Sequence, residues 1–193
     1  MLQLKEKYIS AEEYFAMEEI AEYKSEYYQG EIFAMSGASI HHNLIVSNVI
    51  TALNNSLRGR DCFVFPSDAR IEVDPAMHYT YPDVTVVCGK IDFSTGRKDT
   101  VANPLVIFEI LSESTAEYDR GAKLRAYRKI PSFREYITVD QYSYKVEHYY
   151  KNESGFWVLE EFDQISDCFT IHSLHVEICL KDVYYQLDLK LII

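Results

Sequence analysis

The sequence predicts an α/β protein, a mixed β-sheet flanked by helices, and three observations predict it. Apolar residues recur at helical spacing in two amphipathic stretches. Several short runs rich in Val, Ile, Tyr and Phe are bounded by Pro, Gly and Asn, as strands are. A strand–helix–strand succession between residues 104 and 140 calls for a parallel pair with its helix packed on the sheet. The 193 residues, 48% of them hydrophobic, suit a single domain over 1–193 that buries a core without staples.

Taken in order, Ser10 and Glu13 have capping-box spacing, and Tyr14, Met17 and Ala21 follow at helical intervals, so a first helix is expected over 10–23. In SEYYQGEIFAM, Gln29 and Gly30 separate two β-prone runs as a tight hairpin turn does, with Glu31 opening the second strand. Ile40, Leu44, Val49, Ile50, Leu53 and Leu57 keep a helical period over 39–58, and Gly59 supplies a stop. Strands are expected at 62–65, 69–73 and 83–88, separated by Pro66, Pro75 and Pro82, and a polar loop at 89–103. PLVIFEIL at 104–111 is apolar on both alternations except for one acid, the mark of a central strand covered on both faces. SESTAEYD reads as a polar turn, 121–130 as a helix ended by Pro131, and EYITVD as another core strand. Four further β runs, YKVEHYY, FWVLEEF, CFTI and HVEI, read as an antiparallel extension over 141–193.

Composition narrows the setting. The first residues turn charged too soon for a signal peptide, and no apolar run approaches the roughly 20 residues that cross a bilayer. Cys62, Cys88, Cys168 and Cys179 contain no CxxC pair and read as reduced core residues, so a cytoplasmic protein without membrane contact is expected. The net charge of −11 opposes a broad nucleic-acid surface. It is unevenly spread: residues 6–31 hold eight Glu against two Lys, whereas 120–134 hold Arg120, Lys123, Arg125, Arg128, Lys129 and Arg134 and no acid. Of these, Arg120, Arg125 and Arg128 are the candidate DNA contacts.

Glu109 is the most informative residue, because a carboxylate inside an apolar strand must be paired or coordinated. Asp83, after Pro82 at the start of the preceding strand, is an ordinary turn aspartate alone, but strand pairing would set it beside Glu109. Two converging carboxylates repel unless a hard divalent cation such as Mg or Mn relieves them. Lys123, one turn into the basic helix, can lean over the end of the Glu109 strand and meet a phosphate. Other chemistry is excluded: the chain has no Gly-rich phosphate loop, no GxSxG and no HExxH. His172 and His175, three apart, point opposite ways on a strand and are assigned no metal.

YPDV, then FEIL followed by SEST, then YDRGAKLRAYRKIPSFREYITVD resemble the Uma family, grouped with restriction endonucleases in the PD-(D/E)XK superfamily. The resemblance covers about 8–150, including EYKSEYYQGEIFAM and the HHNLI helix start. It implies a restriction-endonuclease-like fold with a β-rich C-terminal extension, and a metal-dependent endonuclease acting on DNA phosphodiesters. Asp83 and Glu109 would bind Mg or Mn with the Ile110 carbonyl, and Lys123 would complete the catalytic set. The superfamily lysine is absent two residues past Glu109, where Leu111 stands; the family restores that charge from the next helix, at Lys123. Glu31 and His42 match family positions and are possible supporting residues. Relatives that cut both strands often pair, so a homodimer is expected. The alternative is a catalytically silent module of the same fold that binds DNA or a protein partner.

Overall fold

A computed structural model describes residues 8–189 except Ser36 and Ser114; Ser114, in the polar turn expected after Leu111, lies outside the described residues. The first helix, α1 (Ala11–Glu18), starts from Ser10 with both halves of the capping box made: Glu13 N–H donates to Ser10 Oγ at 3.2 Å and Ser10 N–H to Glu13 Oε2 at 2.9 Å. It stops short of the expected Tyr23 because Ala11, Tyr14 and Phe15 find a surface to pack on, while Met17 and Ile20 are exposed. Strands β1 (Ser25–Tyr28) and β2 (Glu31–Ala34) pair antiparallel around Gln29 and Gly30, both at positive φ, 49° and 95°. This is the turn whose twist matches that of the strands.

Helix α2 (Ile40–Ser56), capped by Ser39 Oγ accepting from His42 N–H, buries Ile45, Val49 and Leu53. Strands β3 (Cys62–Pro66), β4 (Arg70–Asp74) and β6 (Val84–Cys88) appear where expected. Two short strands occupy segments expected as turn or loop, β5 (His78–Thr80) and β7 (Thr100–Val101). Both are too short to show a periodicity and are recruited by pairing with β1 and β4. They complete a five-stranded sheet, β2-β1-β5-β4-β7.

The second sheet holds the centre of the fold. Strand β8 (Val106–Leu111) is buried at every position and pairs parallel with β9 (Glu135–Asp140), as the crossover requires. Strands β10 (Val146–Lys151) and β11 (Trp157–Phe162) continue this sheet, giving the order β11-β10-β9-β8-β6-β3. Its mixed strands and few flanking helices are the α/β arrangement expected. One face, with Val84, Phe108, Ile110 and Ile137, is covered by α2 and by the hairpin β12 (Cys168–Ile171) and β13 (Val176–Cys179). The other, with Val87, Ile107 and Tyr136, packs Leu124, Tyr127 and Phe133.

The crossover departs most from expectation. It begins at Ala116, five residues early, as α3 (Ala116–Tyr118), widens into a π-helical turn (Asp119–Lys123), and closes as α4 (Leu124–Tyr127). The cysteines also need correction. They are not separate reduced thiols: Cys62 is bonded to Cys88 and Cys168 to Cys179, because β3–β6 and β12–β13 register sets each pair directly opposite. Each partner lies too far along the chain for spacing to reveal it. No helix among the described residues is long and apolar enough to cross a membrane.

The β1–β2 turn generates a stability prediction. A Cβ at Gly30 would be forced to φ +95° and would press into the Tyr8 ring. Gly30→Ala is therefore expected to lower unfolding stability by about 1–2 kcal/mol. An unchanged urea midpoint would refute this account of the turn.

Candidate active site

The candidate residues meet where the helical crossover is packed against both sheets. On β8 the side-chain period of two sends Ile107 and Glu109 to the face that carries Tyr127. Asp83 lies one step beyond the last paired residues, Val84 and Phe108, beside the end of β8. Its Oδ2 accepts the Ile110 N–H at 2.7 Å and lies 3.1 Å from His42 Nε2 in the first turn of α2. Asp83 is thereby tied to the central strand and to α2 together.

Lys123 is the hub. Its Nζ lies 2.8 Å from Glu109 Oε1, 3.2 Å from Glu26 Oε1 and 3.7 Å from Asp119 Oδ1, and the residue is 6% exposed. Burial alone would strip the proton from an ammonium, but Glu109, Glu26, Tyr127 and Asp119 hold the Lys123 pKa well above its usual value. Glu109 is pushed well above the usual carboxylate range by burial; Lys123 pulls it down while Asp119 and Asp83 repel its charge. Asp119 is raised as well, chiefly by burial, against the pull of Lys123 and a hydrogen bond from Thr115. A hydrogen-bonded chain supports Glu109 from behind: Thr80 Oγ1 lies 2.9 Å from the Tyr127 hydroxyl, which donates to Glu109 Oε1 at 3.1 Å.

The remaining expected residues fall differently. Glu31 is exposed on β2, and no hydrogen bond or ion pair joins it to the cluster among the described residues. The hairpin acid at Lys123 is instead Glu26 on β1, where alternation turns Tyr27 onto α1 and Glu26 toward the crossover. His42 reaches the site through Asp83, and its Nδ1 is buried without a partner. Arg120 is paired with Glu147 at 2.9 Å, Arg128 lies over the Trp157 ring at 5.0 Å, and Arg125 is exposed. Sequence reasoning missed Glu26, Asp119, Tyr127 and Thr80. One signal was available for Asp119, which precedes Lys123 by four residues and so shares its helix face.

The mixed sheet, with acids gathered at the end of its central strands and a lysine delivered from the crossover, is a restriction-endonuclease-like arrangement. The fold is similar to a crystal structure titled as a putative nuclease belonging to DUF820 from Anabaena variabilis, with TM-score 0.75 and 20% identity over 91% of this chain and 97% of that one. Residues 11–180 match the Uma2 family, described as putative restriction endonuclease, and the chain belongs to that family. Two Synechocystis sp. relatives, uncharacterized proteins slr1290 and sll1609, are 36% and 39% identical; the matches cover 91% and 80% of this chain and 91% and 88% of theirs.

The raised Glu109 pKa has a testable sign. The folded protein holds that proton to higher pH than the unfolded chain, so the contribution to stability is full below the unfolded value, about 4.3, and fades as pH rises. Glu109→Gln cannot titrate, so its stability relative to wild type is expected to improve from pH 4.5 to pH 8. Urea midpoints of both proteins at the two pH values measure this; a constant difference would contradict the assignment.

Proposed function

We propose that the chain is a divalent-metal-dependent endonuclease that hydrolyses DNA phosphodiester bonds at the Asp83–Glu109–Lys123 cluster. One observation carries the reading: three carboxyl groups, Glu26, Glu109 and Asp119, gather around one buried ammonium, and a fourth, Asp83, is close enough to Glu109 to repel its charge. Nothing in the packing of a stable core calls for that excess of acid. The donor set is all oxygen, which fits Mg or Mn and disfavours softer ions. Asp83 and Glu109, with the Ile110 carbonyl, are the residues that would hold the ion. When bound, it would supply an activated water and neutralise charge on the phosphate.

The chain's own groups divide the remaining work. Lys123 keeps its proton, so it serves as a cation and hydrogen-bond donor to a phosphate oxygen and not as a base. Glu26 and Asp119 hold that ammonium in place beside Glu109. Tyr127, its phenol kept well above the usual range by burial and the nearby acid, stays a donor and fixes the Glu109 carboxyl. His42 and the Ile110 N–H fix the orientation of Asp83. On this reading two copies pair so that both strands of a duplex are cut, and the exposed Arg125 of each meets its backbone.

Cleavage of supercoiled and linear DNA with Mg or Mn tests the proposal. Wild type is expected to cut, Asp83→Asn and Glu109→Gln to lose activity, and Lys123→Ala to lose about 100- to 1,000-fold, the usual effect of removing one charge-stabilising donor. Folding of each variant is checked by circular dichroism. DNA binding without cleavage under every metal condition would overturn the nuclease reading in favour of a silent binding module.

A further inference from the structure

A second polar cluster lies on the opposite face of the six-stranded sheet. Glu109 stands opposite Thr138, and Thr138 opposite Glu147, so the next residue, His148, projects from the other side. There His148 pairs in register with Glu160 of β11. His172, in the turn after β12, stacks on His148 with ring centroids 5.7 Å apart and planes at 14°. One ligand atom from each of His148, Glu160 and His172 lies within 4.8 Å of the others.

The buried histidine is the independent sign of a ligand. His148 is fully buried; its Nε2 lies 2.6 Å from Glu135 Oε2, while Nδ1 is buried with no hydrogen-bond partner. An interior polar atom left unmet is costly. Glu135 also accepts the backbone N–H groups of His172 at 2.9 Å and Ser173 at 2.5 Å. With Nε2 engaged by the Glu135 carboxyl, Nδ1 is the ring nitrogen left to coordinate.

We propose that His148 Nδ1, a ring nitrogen of His172 and the Glu160 carboxylate form a zinc site, with Glu135 orienting the buried histidine. Two imidazoles and one carboxylate are a zinc ligand set, and a carboxylate behind a ligating histidine is its usual support. Zinc–ligand distances of about 2.0–2.2 Å require the donors to close to roughly 3.5 Å. His172 and Glu160 are exposed and can close by side-chain rotation. Tyr150 steadies both, its hydroxyl 3.3 Å from Glu160 Oε1 and its ring 4.3 Å from that of His172. Glu160 and His172 line an open concavity of about 540 Å³ together with Phe162 and Phe169, which would leave room for water or a small ligand as a fourth ligand. The ion would clamp the β12–β13 hairpin to β10 and β11. The proposal does not depend on the nuclease reading.

Isothermal titration of the untagged full chain with zinc chloride, paired with thermal melts, tests it. Wild type and the Asp83→Asn/Glu109→Gln chain are each expected to bind about one zinc and to melt higher with it, since an ion that binds the folded state stabilises that state. Glu160→Gln and His172→Ala, both at exposed positions, are expected to bind at least about tenfold more weakly. Absence of zinc binding by wild type at micromolar metal would overturn the site. So would zinc binding that survives both exposed substitutions or vanishes in the Asp83→Asn/Glu109→Gln chain.

Discussion

The arrangement depends on a lysine ammonium held inside the protein. Removing Lys123 from water is costly unless its charge is answered at close range, and three carboxyl groups from three separate elements answer it. The dependence runs both ways. Glu109, on a strand buried at every position, has its pKa raised by burial and pulled down by that ammonium, and the same ammonium offsets the mutual repulsion of Glu26 and Asp119. One salt-bridged hub therefore joins β1, β8 and the crossover, so local order at the site is inseparable from the docking of the two sheets.

Simple geometric rules deliver each group. The two-residue period of β8 turns Glu109 to the face opposite Phe108 and Ile110, which pack under α2. The same period on β1 gives Tyr27 to the aromatic cluster with Tyr14 and Tyr79 and sends Glu26 the other way. In the crossover, Asp119, Lys123 and Tyr127 recur every four residues and are all buried. The π turn spans Asp119 to Lys123, a local widening that helices often place at functional positions. Tyr127 then closes the arrangement by linking Thr80 of one sheet to Glu109 of the other.

Much of this was legible in the sequence because it is written in local chemistry. The capping box at Ser10, the Gln29–Gly30 turn, the α2 period and the acid inside an apolar strand each declare themselves within a few residues. Lys123 was legible chiefly through the family resemblance, since a helix lysine taken alone is most often solvated. What stayed hidden depends on register between distant segments. Glu26 and Glu31 share one face of the hairpin, and Glu26 is the acid that reaches Lys123 because β1 is paired on to β5 whereas β2, with Glu31 beside the turn, is the sheet edge. The disulfide partners and the His148–Glu160–His172 cluster are likewise products of strand pairing, invisible to spacing along the chain.

Register also changes the meaning of the charge pattern. The segment 120–134 is rich in cations, yet Arg120 is paired with Glu147, Lys123 lies in the acid cluster, Arg128 covers Trp157, and Arg134 donates to the Pro131 and Phe133 carbonyls. A cation already engaged within the protein neutralises fewer phosphates, and the chain as a whole carries −11. On the proposed reading, attraction for a phosphodiester must therefore arise at the acid cluster itself, where cation binding by Asp83 and Glu109 reverses the sign of the local field. Substrate approach and hydrolysis would then rest on the same two carboxylates. A protein built this way can remain strongly acidic overall and still act on a polyanion, because the positive charge it presents is acquired with the ion and confined to the place where the chemistry occurs.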